Sequence, residues 1–485
     1  MDSGEVAAVV GALGAALILL GRGRILLLTG LALLAVAELG LVHDLSGNRV
    51  SPKLAALGAA SLVPLAIGAW IFVRWPVLVT PLVAIAAPFR PPLSFGSEHR
   101  YYIGVASSGQ LGRLLPLYGI LGATALALGW HALRGRVNRP VPFIVSIPAA
   151  VFIAVAGLSV LWTEDLVSGE NVLAYFLLPF AVLVVVVAHA PFPPWLPKAL
   201  AVIAVGLATL FAVVGIIQAA THKLWFFSPA VEVGNAYSSF FRVTSLFRDP
   251  SLYGRHVVIG IVVLLVCVLY RKVNPFLAAG LIALLFVGLW FSYSQSSMAA
   301  LFVVTLVLAA VAGGRSLKLV AALTAVVVLV GAAGILAPSV QDHSARRFTS
   351  DRSRRVELTW KVFRAHPVVG VGLGSQPVAS QARSKQGGSP TRFVSHTTPL
   401  TVAAELGVVG LAAYLALLGG SAVLIEQVRR RAPPLGLGLG AVFLALFVHS
   451  LAYSGFFEDP VTWLAIAVAA SYMLSRADDE AILGA

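Results

Sequence analysis

The sequence is short of charge and of cysteine. Only 11% of its 485 residues are Asp, Glu, Lys or Arg, while 59% are hydrophobic. A soluble domain carries roughly 25% of those four residues, so the side chains needed to cover several water-facing surfaces are missing. A mean hydropathy of +0.92 points the same way. The one cysteine, Cys267, lies inside an apolar run; an intrachain disulfide is excluded and a cysteine-based metal site is not expected. The N-terminus lacks the positive charge that opens a signal peptide and carries Asp2 and Glu5 ahead of the first apolar stretch, so no cleavable leader is expected. No internal repeat stands out beyond the Ala, Val, Leu and Gly bias of membrane helices.

What the sequence does contain is a series of long apolar runs. A helix needs about 20 apolar residues to cross the hydrocarbon core. Runs that qualify, or nearly do, lie near 5–21, 24–42, 53–73, 112–133, 142–162, 171–189 and 197–219, and again near 252–270, 275–293, 296–312, 317–338, 398–425, 435–453 and 459–475. The stretch at 75–89 is interrupted by Pro76, Pro81 and Pro88 and reads as a tilted or re-entrant piece. Neighbouring short runs can merge, so the pattern predicts roughly 12 to 15 spans. The fold class expected is all-α: a polytopic transmembrane helical bundle, one membrane domain over 1–485.

Lysine and arginine in short loops set the orientation of such a bundle. Arg134, Arg136, Arg139, Lys198, Arg271, Lys272, Arg315, Lys318, Arg429, Arg430 and Arg431 share one side, predicted to be cytoplasmic together with the C-terminus. Alternation places the base-free 163–170 loop, with Glu164, Asp165 and Glu170, on the other side. Two long polar segments, 220–251 and 339–398, then lie outside as well. The second holds ten Lys and Arg against Asp342, Asp351 and Glu357. Long loops cross regardless of charge, so this excess asks for a different reason. Contact with anionic headgroups is one; a binding site for an anionic substrate at the outer surface is the sharper one. The net charge of +14, read by position, stops pointing to nucleic acid.

Three outer stretches carry candidate chemistry. In Phe247-Arg248-Asp249-Pro250-Ser251-Leu252-Tyr253, Asp249 is a plausible N-cap and Pro250 suits the first helical position. A membrane helix starting here would turn its N-terminus, which favours anions, toward the outer surface. Arg242 and Arg248 lie just before it and Arg255 one turn inside; phosphate binding and interfacial anchoring are both open for the first two. In the 354–364 stretch, Val356, Trp360 and Phe363 recur at i, i+4 and i+7, and Glu357 and Lys361 pair at i, i+4 on another face. This predicts an amphipathic helix lying along the membrane and ended by Pro367. The glycine-rich run that follows, Gly370 to Gly374, has no βαβ unit around it and reads as a flexible turn rather than a nucleotide loop. In the third, His396 sits where the outer loop meets a helix bearing Glu405, Gly407 and Gly410. Its ordinary pKa near 6.5 makes it the natural general base, although a lone interfacial histidine is also a common structural residue. Glu405 lies deeper, on the opposite face of a straight helix, and is not paired with His396; the glycines are expected to permit close helix packing.

Taken in order, these pieces resemble the bacterial O-antigen ligase and polymerase superfamily, polytopic glycosyltransferases of the GT-C type. The shared order is an arginine (Arg242) ahead of a Phe-X-X-Pro turn opening a helix, an outer amphipathic segment, Pro367-X-X-Gly370-X-Gly372, and His396-X-X-X-Leu400 continuing to Glu405 and Gly407. The match is clearest from about 240 to 415; the N-terminal half shares only its many spans. The resemblance implies a metal-independent enzyme without cofactor, in a bacterial cytoplasmic membrane with its active site facing outside. It would move a glycan from a polyprenyl (undecaprenyl) diphosphate carrier to a lipid, glycan or protein hydroxyl acceptor, as ligase or polymerase in cell-envelope polysaccharide biosynthesis. It assigns His396 as the base and arginines, Arg242 with Arg248 and Arg354 or Arg355, to the diphosphate. Glu405, Gln295 and Tyr253 are possible supporting residues. Two departures stand out: the family's Ser-Arg at the outer end of a mid-chain helix is here Ser294-Gln295, and its Pro-Asn is Pro250-Ser251. Other classes remain in play. A transporter or flippase of lipid-linked oligosaccharide is less favoured because deep carboxylates are few, Glu38 and Glu405 being the evident ones. A peptidoglycan-type polymerase would need an outer carboxylate base, for which Asp249, Glu458 and Asp459 are available.

Overall fold

The computed structural model describes residues 2–47, 52–88, 114–135, 139–225, 227, 229–237, 240–312, 314, 352–453 and 455–483. Every regular element among them is helical. The first third comprises α1 (Ser3–Leu20), α2 (Arg24–Leu45), α3 (Pro52–Arg74), α4 (Val79–Ala86), α5 (Leu115–Leu133) and α6 (Phe143–Ser159). The middle holds α7 (Leu166–Val172), joined by a π turn at Leu173–Leu177 to α8 (Leu178–Ala188), then α9 (Leu196–Thr221), α10 (Pro229–Ala236), α11 (Pro250–Leu269), α12 (Pro275–Trp290) and α13 (Gln295–Ala312). The last part is α14 (Arg352–Ala365), α15 (Gln376–Ala382), α16 (Thr398–Arg431), α17 (Pro433–Ser450) and α18 (Pro460–Leu483).

Ten described helices are long and apolar enough to span a membrane, eleven if one bent pair counts as a span. This is fewer than the sequence pattern suggested. The 317–338 run and residues 339–351 of the long polar segment lie outside the described residues. The 275–293 run yields only the 16 residues of α12, and the second half of α18 carries Arg476, Asp478, Asp479 and Glu480. The 53–73 and 75–89 runs form the bent pair, turning by 109° between Arg74 and Pro76, where a proline removes a helical donor.

Cap-proline pairs set several starts. Asp249 accepts from the backbone N–H of Ser251 (2.7 Å) and Leu252 (3.2 Å) ahead of Pro250. Asn274 does the same for Phe276 and Leu277 ahead of Pro275, and Asp459 accepts from Val461 at 2.8 Å ahead of Pro460. An oxygen here satisfies orphan donors while proline sets φ for the first turn. Helices approach closely where glycines face each other: a Cβ on Gly14 of α1 would lie 2.9 Å from the Gly30 carbonyl of α2, and the reverse contact is the same.

The centre of the bundle is α11, buried through most of its length and packed on α9, α12, α13 and α17. A helix apolar all round belongs in such a place. Its first turn therefore lies in the middle of one end of the bundle. The starts of α16 and α18 and the end of α17 meet there, with α14 laid against α16.

Candidate active site

The chain enters this end through the loop ahead of α11. Asn235 brackets the backbone of Arg242, accepting its N–H at 2.9 Å and donating to its carbonyl at 3.0 Å. Val243 N–H donates to the Phe291 carbonyl (3.1 Å), and Arg242 Nε donates to the Ser292 carbonyl (3.3 Å). Arg242 is thus fastened to the turn before α13. Burial lowers its pKa from the ordinary value; the Asp249 carboxylate and the Tyr453 phenol oppose this, and the Arg352 charge adds to it.

The second contribution is α14. Arg355 Nη1 donates to His396 Nε2 at 2.6 Å. The helix turns Leu358, Thr359 and Val362 inward and leaves Val356 and Trp360 exposed, with the Trp360 ring 5.3 Å from that of Phe363. The predicted apolar stripe is present, but the face holding Arg355 and Thr359 is the one packed against the protein. Arg354 points elsewhere, its Nη2 donating to Ser384 Oγ at 3.3 Å. The Glu357–Lys361 pair (2.6 Å) is solvent-exposed.

His396 stands in the turn before α16 with φ of 56°, a left-handed conformation uncommon for a residue with a side chain. Such strain costs on the order of 1–3 kcal/mol and persists only where surrounding contacts enforce it. Here they do. Ser395 N–H donates to Gln376 Oε1 (3.1 Å), and Thr397 Oγ1 donates to the Leu451 carbonyl (3.2 Å). The fully buried Gln376 is a hub: its Nε2 shares its two hydrogens among Thr359 Oγ1 (2.9 Å), Ser380 Oγ (2.8 Å) and the Phe393 carbonyl (2.9 Å), and its backbone N–H donates to Glu405 Oε1 at 3.2 Å. Thr359 in turn donates to the Arg355 carbonyl at 2.7 Å. One side chain therefore registers the histidine turn against the arginine helix. Burial, then the charges of Arg355 and Arg352, push the His396 imidazole down to about 4, with Asp249 opposing. At neutral pH it is an uncharged base.

A glycine wedge holds this arrangement in place. Helix α16 is interrupted at Gly407 (φ 65°, ψ −163°). The Pro367–Gly372 segment fills the gap: Val371 and Gly372 N–H donate to the Ala404 and Glu405 carbonyls (3.1 and 2.8 Å), and Val408 N–H donates to the Pro367 carbonyl (2.8 Å). Gly370, Gly372 and Gly374 all have positive φ, and a Cβ on any of them would lie within 2.6 Å of neighbouring backbone. The glycine run is thus a tightly packed insert rather than the flexible turn expected. Gly407 likewise makes a break in the helix, in addition to any close packing. Glu405 accepts the backbone N–H of Gln376 at the start of α15, just beyond this insert.

The candidates divide accordingly. His396, Arg355 and Arg242 are brought into one electrostatic neighbourhood with Asp249. Arg248 is half-buried in the same loop. Arg354 is directed to Ser384, and Gln295 is exposed at the start of α13. The Tyr253 hydroxyl is packed between Gly215 of α9 and Gly288 of α12, inside the bundle. Of the carboxylates weighed as bases, Asp249 is a helix cap, and Asp459 is ion-paired to Arg255 at 2.5 Å, both side chains buried. Among the described residues no group of three or more His, Cys, Asp or Glu could hold a metal ion.

Sequence reasoning missed three participants. Arg352 acts on both His396 and Arg242; only its membership in a basic cluster hinted at it. Tyr453, on the α17–α18 connection, stacks toward His396 with ring centres 5.9 Å apart and toward His449 at 5.3 Å. Gln376 had no sequence signal at all. Residues 279–415 match the family model described as O-antigen ligase, a stretch that contains Gln295, Arg354, Arg355, His396 and Glu405 but ends before Tyr453 and begins after Arg242. Comparison with curated proteins returned no match.

Proposed function

We infer the following chemistry for this chain, whose residues 279–415 match the O-antigen ligase family model. It transfers a glycan from a polyprenyl diphosphate carrier to a hydroxyl acceptor at the membrane face where His396 lies. The observation that carries this is the convergence of a neutral, half-buried histidine with Arg242, Arg352 and Arg355 from three separate segments. In the reaction, the acceptor oxygen bonds to the anomeric carbon of the donor glycan. The bond from that carbon to the diphosphate breaks, and its electron pair leaves on the diphosphate. The hydroxyl proton passes to His396 Nε2. Guanidinium groups suit the leaving group because they offer paired, charge-assisted donors to phosphate oxygens, and their fixed charge stabilises the transition state. Arg248 and Arg354 would serve at the margin of this site. The positive-inside distribution of short-loop bases supports a reading in which the His396 face lies outside a bacterial cytoplasmic membrane and the C-terminus is cytoplasmic.

The test is glycan transfer by reconstituted protein. His396→Ala and Arg242→Ala should abolish transfer while the protein still inserts and folds; undiminished transfer in either would overturn the assignment. The surface-glycan profile of a deletion strain separates the two branches of the family. Short unpolymerised chains indicate a polymerase, and accumulated carrier-linked polymer indicates a ligase.

A further inference from the structure

We infer that Arg355 keeps His396 closed as a base until the donor diphosphate draws its guanidinium away, so that the carrier-linked donor binds before the acceptor is activated. This rests on the transferase reading given above and deepens it.

The argument begins with hydrogen positions. A guanidinium has donors and no acceptor. At 2.6 Å from Arg355 Nη1, His396 Nε2 can only be accepting, so the ring proton is on Nδ1. A second proton can enter only at Nε2, which Arg355 occupies. The imidazolium would also place two cations in contact, with Arg352 of the same helix adding a third charge. The other groups facing the ring are Asp249 at the start of α11 and Tyr453 on the α17–α18 connection. Asp249 spends one oxygen on two helix N–H groups. While Arg355 stays, no acceptor hydroxyl can hand its proton to His396.

A diphosphate changes the competition. Its anionic oxygens take paired hydrogen bonds from a guanidinium in which donor and acceptor are both charged, against the single bond to the uncharged imidazole. Arg355 swings to the stronger acceptor, Nε2 is exposed, and the added negative charge makes the imidazolium tolerable. The same contact that binds the leaving group uncovers the base. Acceptor activation is then tied to donor occupancy.

The experiment is carbethoxylation of His396 by diethyl pyrocarbonate, followed by peptide mass spectrometry on the full chain in nanodiscs. It is run at about pH 8, where ordinary imidazoles are neutral, with farnesyl diphosphate as probe. The reagent needs a free imidazole lone pair. Bound probe should accelerate labelling of His396 by about tenfold or more, the factor implied by losing one hydrogen bond from a charged donor to that nitrogen. Simple shielding, or a rise in pKa, would slow it instead. Arg355→Gln should label at the faster rate without probe. Probe binding with unchanged or slower labelling overturns the closure, as does a variant that labels like the native protein. Failure of the probe to bind at all overturns the diphosphate site itself.

Discussion

Gly407 of α16 touches Val368 so closely that a Cβ at position 407 would lie 2.1 Å from the Val368 carbonyl oxygen. The contact exists because the helix opens at Gly407 and the Pro367–Gly372 segment inserts its own donors and acceptors into the opening. Backbone groups freed inside a bundle must find partners, and the insert supplies them.

Gly407→Ala should therefore be costly. It adds left-handed strain of about 1–3 kcal/mol to a contact that must move. Gly419→Ala, on the same helix with nothing within 4 Å of its Cβ, is the control and should be neutral. Thermal unfolding in detergent would show a lowered midpoint for position 407 alone; equal midpoints would contradict the wedge.

Gln376→Leu should spare folding more than activity. It removes the shared link between Thr359 and Ser395 and frees the His396 turn relative to Arg355. A shift of ~1 Å in such a group costs about 100-fold in rate. Initial rates of transfer, measured alongside unfolding, separate the two effects.

The pH dependence has a definite sign. With His396 held down to about 4, kcat/KM for donor, which reports the free enzyme, should stay level through neutral pH. It should fall only as pH drops through about 4. Arg355→Gln removes a lowering charge, so its limb should move up toward 6.5. Stability follows the same group. Between about 4 and 6.5 the unfolded chain binds the proton that the folded one refuses, so folding stability rises with pH across that window. His396→Ala should flatten that slope in denaturation curves.

The buried Arg255–Asp459 pair ties α11 to the start of α18. Asp459→Asn keeps an oxygen to cap α18 but leaves the Arg255 charge uncompensated, and removing one partner of a buried pair costs about 3–5 kcal/mol. Arg255→Met with Asp459→Asn should recover much of the loss. A double variant no better than the single would show that the charge pairing is not the cause.

Much of this was legible beforehand because it depends on local rules. The apolar runs gave the membrane bundle, and Asp249-Pro250 gave the start of α11. The family resemblance pointed to His396, to Arg242, and to one of Arg354 and Arg355. What was hidden depends on how segments meet. Choosing Arg355 over Arg354 requires knowing which face of α14 turns inward, and the Val356–Trp360 stripe, the usual guide, faces outward here. Gln376 and Tyr453 have no pattern of their own. They matter because a loop segment enters a helix break and because the α17–α18 connection brings Tyr453 beside His396. The Gly370–Gly374 run looked flexible because glycine serves equally for freedom and for close approach, and only the contact distances tell these apart.

The break at Gly407 also bears on the surrounding bilayer. A long helix responds to a thicker or thinner membrane by changing its tilt, and an unbroken α16 would carry the His396 turn with it. The break at Gly407 does not release it: the Pro367–Gly372 segment bonds Ala404 and Glu405 on one side of the break and Val408 on the other, bracing the two portions against each other. The geometry of the base is thereby tied to the tilt of the whole helix, so transfer should vary with lipid chain length.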